Sequence, residues 1–192
     1  IRDRFEIGLV TQPETAQLPA SETFAPGYHP TEEERAAIFD AVPHQPLHAA
    51  GIVSGNWELE GVWGKGRRAE AMDVIEIVKR IAAALGQSVT PTASDRAPFH
   101  PGRCAEFRLA DGTLFGHAGE LHPKVVETLG LPARTVAFEV VLDSVLDAPA
   151  ERRWAGALST YPVSRQDVAL IVDDSIAIGD LVSTMREAIG GD

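Results

Sequence analysis

FHPGRCAEFRLADGTLFGHAGELHP, residues 99 to 123, holds the pattern on which the fold turns. Asp111-Gly112 separates two β-rich runs, and this pair is a strong hairpin signal because glycine takes the positive φ a tight strand connection needs. A two-residue turn there sets Leu109 against Leu114, Phe107 against Gly116 and Glu106 against His117. Side chains alternate across a strand, so Ala105, Phe107, Leu109, Leu114 and Ala118 are expected on one apolar face. Cys104, Glu106, Arg108, Phe115 and His117 are expected on the other.

The same stretch arranges His100, Cys104, His117 and His122 as H-x3-C-x12-H-x4-H, whose latter part has zinc-finger spacing. A finger also needs a cysteine shortly before Cys104, and residues 89–103 contain none. His100 belongs to a His-Pro-Gly turn and His122 precedes the proline that opens a helix, both roles that histidine fills without metal. No metal ligand is therefore assigned. Cys104, Glu106 and His117 on one face also describe an alternative, a free-standing thiol or metal enzyme with Glu106 orienting the imidazole. No helix N-terminus or basic cluster in the sequence stands ready to lower the Cys104 pKa. Gly64-Lys65-Gly66 lacks the full phosphate-binding pattern G-x-x-x-x-G-K-[ST] and reads as a glycine turn.

Outward from this hairpin, residues 5–10 read as a strand followed by a long Pro, Ser and Thr-rich loop. Thr31 and Glu34 form a capping box that starts a short helix. Strands are expected over 47–53 and 57–63. A helix is expected over 67–85, where Met72, Ile75, Val78, Ala82 and Leu85 recur at helical spacing, Val74, Ile77 and Ile81 widen the stripe, and Gly86 ends it. Residues 91–102 read as a loop, 123–129 as a helix, and 135–142 as an alternating strand. Pro, charge and Gly in DAPAERRWAG break the pattern, and beyond it come a strand over 167–172 and an amphipathic helix over 178–189.

With 192 residues and 44% hydrophobic content the chain can bury a core. A net charge of −11 disfavours broad attachment to nucleic acid or an anionic membrane, so any such contact must be local. No apolar run spans a bilayer and the first residues lack the order of a signal peptide. Cys104 is the single cysteine, which excludes an intrachain disulfide, and the cytoplasm is the expected location.

The order His-Pro-Gly-Arg, strand, Asp-Gly turn, strand, Gly-Glu-Leu-His-Pro, helix, Phe-Glu strand resembles the C-terminal part of the β subunit of bacterial phenylalanine-tRNA ligase. The likeness extends to RDRFEIGLV, to RRAEAMDVIEIVKRIAAALG and to YPVSRQDVALIVDDSIAIGDLVSTMREAIGG, and so covers essentially the whole chain. The resemblance implies an α+β fold. Residues 1–147 would form a degenerate class II synthetase-like antiparallel sheet with flanking helices. A linker over 148–156 would lead to the start of a ferredoxin-like anticodon-binding domain over 157–192.

It further implies a noncatalytic piece of a heterotetrameric ligase, partnered by a catalytic α subunit and, weakly for this piece, by phenylalanine tRNA. ATP and Mg would be used by the whole ligase and no cofactor by this piece. In agreement, no arginine follows FEIGLV until Arg35, and no catalytic residue is nominated. Arg152, Arg153 and Arg165 are the tRNA-contact candidates, and the family's usual second arginine before Asp167 is Gln166 here. The strand and helix over 167–189 also fit the start of an ACT-like ligand-binding regulator, an alternative reading.

Overall fold

The computed structural model describes residues 2–11, 26–62, 64–146, 160–162 and 164–189. Its contacts cluster into two units, Ile1–Glu151 and Arg152–Asp192. In the first, the elements run β1 (Arg2–Leu9), α1 (Glu32–Asp40), β2 (Leu47–Ser54), β3 (Asn56–Glu58), β4 (Arg67–Arg68), α2 (Ala71–Ala84), β5 (Thr90–Ser94) and β6 (Phe99–Arg108). Then follow β7 (Leu114–Leu121), α3 (Pro123–Thr128), β8 (Val136–Val141) and α4 (Asp143–Leu146). Six strands form one sheet in the order β1-β2-β8-β7-β6-β5, with every neighbouring pair antiparallel. The expected α+β class with an antiparallel sheet is what the chain adopts.

One face of the sheet packs on α2. Val74, Val78 and Ala82 of the helix meet Ala105, Phe107, Phe115, Ala118, Phe138 and Val140 in a single buried cluster. Because the apolar positions recur four apart on the helix and mostly two apart on the strands, the two periods generate complementary stripes. The stripe is shifted from expectation: Val74 is fully buried, whereas Met72 is 69% exposed. The opposite face carries a smaller cluster of Phe99, Cys104, Leu121 and Ala137, covered by Val126 of α3.

Several boundaries differ from the sequence reading for physical reasons. The helix starts at Ala71 rather than Arg67, because Arg67 and Arg68 pair with Asn56 and Glu58 as a small ribbon. Of the expected strand over 57–63, residues 57–58 belong to that ribbon. Asp73 then accepts from the Glu70 backbone N–H at 2.8 Å and from both terminal nitrogens of Arg67 at 2.8 and 2.7 Å, which anchors the first turn. The expected loop after α2 contains β5, an edge strand, and Pro91 is tolerated because an edge leaves one side of the ladder open.

The hairpin turn holds three residues, not two. Gly112 N–H donates to Leu109 O and Leu109 N–H to Thr113 O, with Gly112 at φ 86°, a three-residue loop closed by a left-handed glycine. Arg108 consequently pairs with Leu114, and a bulge between Phe107 and Arg108 restores Phe107 to Gly116 and Glu106 to His117. The extra residue is Phe115, which enters the α2 core instead of the Cys104 face.

The capping box at Thr31 forms as read, with Glu34 N–H donating to Thr31 Oγ1 at 3.2 Å and Thr31 N–H to Glu34 Oε2 at 2.8 Å. In the second unit, α5 (Ile178–Ile189) is present, but residues 167–172 form no strand. No neighbouring strand among the described residues offers that backbone hydrogen-bond partners, and a lone extended segment gains nothing from pleating.

Candidate functional site

The face of the sheet turned away from α2 carries one transverse row. Glu6 of β1 is opposite Ala50 of β2, Ala50 opposite Glu139 of β8, and Glu139 opposite His117 of β7. His117 is opposite Glu106 of β6, and Glu106 opposite Thr92 of β5. Directly opposed residues share a face, so three carboxylates and an imidazole lie in line across six strands.

His48 joins diagonally, its Nδ1–H donating to Glu139 Oε1 at 2.8 Å. His117 Nε2 stands 3.4 Å from Glu106 Oε2, inside ion-pair range but outside hydrogen-bond geometry, and is buried. Burial, aided by the positive charge of Arg96, pushes the His117 pKa below its usual 6.5 despite Glu106 and Glu139. The imidazole is therefore neutral at pH 7. Arg108, two residues from Glu106, donates to Glu106 at 2.7 Å and to Gly112 O at 2.8 Å, while Arg4, two residues from Glu6, is exposed.

The row itself is net negative. Carboxylates flank its centre, and Arg108 at its end is already satisfied by Glu106 and Gly112 O. The thiol reading loses its basis. Cys104 is buried beside Phe99, Leu121, Val126 and Ala137, where desolvation raises its pKa, and its register partner is Gly119 rather than His117.

The four residues of the finger-like spacing are likewise in separate surroundings. Cys104 is in the core, His117 faces Glu106, and His100 and His122 stack on each other with centroids 6.2 Å apart. His122 caps α3 by accepting from Lys124 N–H at Nδ1, 3.2 Å away. Among the described residues, no three of His, Cys, Asp and Glu converge as a metal site.

The Glu106 and His117 pair was readable from the hairpin, whereas Glu6, His48 and Glu139 were not. The alternation in β8 turns Glu139 outward, but which strand lies beside it is a non-local fact. Of the tRNA-contact candidates, Arg165 is exposed, while Arg152 and Arg153 lie outside the described residues.

A six-stranded antiparallel sheet backed by one long helix, with a row of carboxylates on the face away from it, defines an α+β domain. The chain belongs to the family of the phenylalanyl tRNA synthetase beta chain CLM domain, whose model matches residues 3–142. It is 43% identical over 194 residues to a phenylalanine--tRNA ligase beta subunit of Streptomyces avermitilis, covering 97% of this chain and 23% of that protein. It is 42% identical to the corresponding subunit of Thermobifida fusca over 190 residues, with the same coverage, 97% and 23%. The subunit of Corynebacterium efficiens is 43% identical over 161 residues, 84% of this chain and 19% of that one. The chain thus spans less than a quarter of the length of the curated relatives it matches.

Proposed function

We propose that the chain is a noncatalytic part of the β subunit of phenylalanine-tRNA ligase. It supports ATP-dependent attachment of phenylalanine to its tRNA by scaffolding the catalytic α subunit and the tRNA. In this reading the first unit is a degenerate class II synthetase-like module, residues 157–192 begin a ferredoxin-like anticodon-binding domain, and the cytoplasm is the location. ATP and Mg serve the whole ligase.

The observation that carries the noncatalytic role is the row Glu6, Glu139, His117 and Glu106, whose three carboxylates would oppose rather than stabilise the charge of an α-phosphate bound over it. The scaffold role is supported on the other face. Phe5 and Ile7 of β1, 79% and 57% exposed, line an apolar groove of about 490 Å³ with Ile77, Ile81 and Leu85 of α2. A continuous apolar surface of this kind is a protein-contact feature.

Mixing the chain with the catalytic α subunit tests the reading. Coelution as a stoichiometric complex is expected, and it should weaken in Phe5→Glu/Ile7→Glu. Failure to associate at micromolar concentrations would overturn the scaffold role.

A further inference from the structure

The sheet ends in two unlike edges. β5 is short and carries Pro91, whose nitrogen has no hydrogen to donate, whereas β1 runs for eight residues without proline and in unbroken register with β2. Val10 N–H donates to Pro46 O at 2.9 Å, and this pair is next in register after Leu9 and Leu47. Directly opposed antiparallel residues alternate between exchanging hydrogen bonds and not doing so. Gly8, Glu6 and Arg4 therefore bond inward to β2, while Asp3, Phe5, Ile7 and Leu9 turn their N–H and C=O groups outward. Leu47 agrees: its carbonyl accepts from Leu142 N–H at 2.8 Å and so faces away from β1. Among the described residues no strand takes up the outward groups.

The side chains of this edge are also unpartnered. Because α2 packs over β7 and β8, Phe5 and Ile7 on its side of the sheet stay exposed above the apolar groove. Arg4 and Glu6 share the other face and are exposed, and among the described residues neither forms an ion pair.

We infer that β1 pairs edge to edge with β1 of a second copy of this chain, antiparallel about a two-fold axis through Phe5. A two-fold normal to the sheet keeps each face on its own side, so a residue opposes only one of its own parity and few registers exist. Centred on Phe5, the pairing sets Arg4 of each copy opposite Glu6 of the other, in the pairs that exchange no backbone bonds and hold side chains closest. Phe5 meets Phe5 with both backbone bonds exchanged. Centring on Asp3, Arg4 or Glu6 instead opposes each to its own like charge. Centring on Ile7 forms no ion pair and shortens the ladder to residues 5–9. An unrelated strand has no reason to carry a glutamate and an arginine at these two places, whereas a second copy carries both. The apolar grooves of the two copies then meet across the axis, where each Phe5 covers the other.

Sedimentation of the 192-residue chain at rising concentration tests this, beside Arg4→Glu, Glu6→Arg and an equimolar mixture of the two. The parent should move from 20.6 kDa toward twice that mass. Each single variant turns both ion pairs into like-charge pairs, so its dimer dissociation constant should rise by about tenfold. The mixture regains two unlike pairs and should dimerise as the parent does, which also shows that both variants are folded. A parent chain that stays monomeric overturns the proposal, as does a dimer indifferent to either substitution. A mixture that associates no better than its components overturns the two-fold pairing. If the parent stays monomeric and Arg4→Glu instead abolishes association with the α subunit, the edge belongs to that subunit and the second copy is excluded. The inference does not rest on the ligase reading. Both substitutions leave Phe5 and Ile7 in place, so dimerisation and association with the α subunit can fail separately.

Discussion

Gly112 shows how a local signal survives an error in its detail. The Asp-Gly pair marked the turn correctly, yet the loop holds three residues, and Glu106 still faces His117 only because the bulge at Phe115 absorbs the extra residue. What the sequence could not reveal is the side chosen by Phe115, since a bulge reverses the alternation beyond it. Gly112 sits at φ 86° with open space where a Cβ would project, so replacing it costs backbone strain and no clash. Gly112→Val is expected to lower stability by about 1 to 3 kcal/mol, read as a reduced urea midpoint. Gly112→Asn should lose much less, because asparagine tolerates the left-handed region.

His117 supplies a second residue-scale prediction. Its folded pKa is depressed, so the unfolded chain binds the proton more readily, and the neutral ring's contribution is complete above the unfolded value of 6.5. That contribution is lost as pH falls from there through the folded pKa. Chemical denaturation at a series of pH values from 7.5 to 5 should show stability falling in this window, and His117→Gln should flatten the fall. A profile equally steep in the variant would show that another group sets it.

At the scale of elements, periodicity located helices and strands, while their ends followed partners distant in sequence. α2 was legible from its apolar stripe, but its first turn was not, because Arg67 leaves the helical run to bind Asp73 and pair in a ribbon. β5 was hidden for a related reason: Pro91 argues against a strand unless the strand is known to lie at an edge. The corrected stripe makes a contrast measurable. Phe107 is fully buried between sheet and α2, so Phe107→Ala should cost about 3 to 5 kcal/mol through lost burial and a residual cavity. Met72, 69% exposed, should tolerate alanine within about 0.5 kcal/mol. Equal losses for the two in parallel urea melts would contradict the helix orientation.

For the whole molecule, the long order of motifs made the family legible from residues alone, whereas the strand order β1-β2-β8-β7-β6-β5 emerges only when distant segments pair. That pairing also decides the chemistry. Glu6, Glu106 and Glu139 are 33 or more residues apart in the chain, and the sheet puts them in one row. Adenylate formation passes through a phosphorus centre whose equatorial oxygens gain from nearby cations, and a row of carboxylates raises rather than lowers that barrier. Reversing the charge of the row does not by itself create catalysis, because in-line attack also requires the carboxylate of phenylalanine to be held against the α-phosphate. The chain alone is therefore expected to show no phenylalanine-dependent exchange of pyrophosphate into ATP. Glu106→Arg/Glu139→Arg should remain equally silent while gaining affinity for a fluorescent ATP analogue. Exchange above background by the parent chain would show that the noncatalytic assignment is wrong.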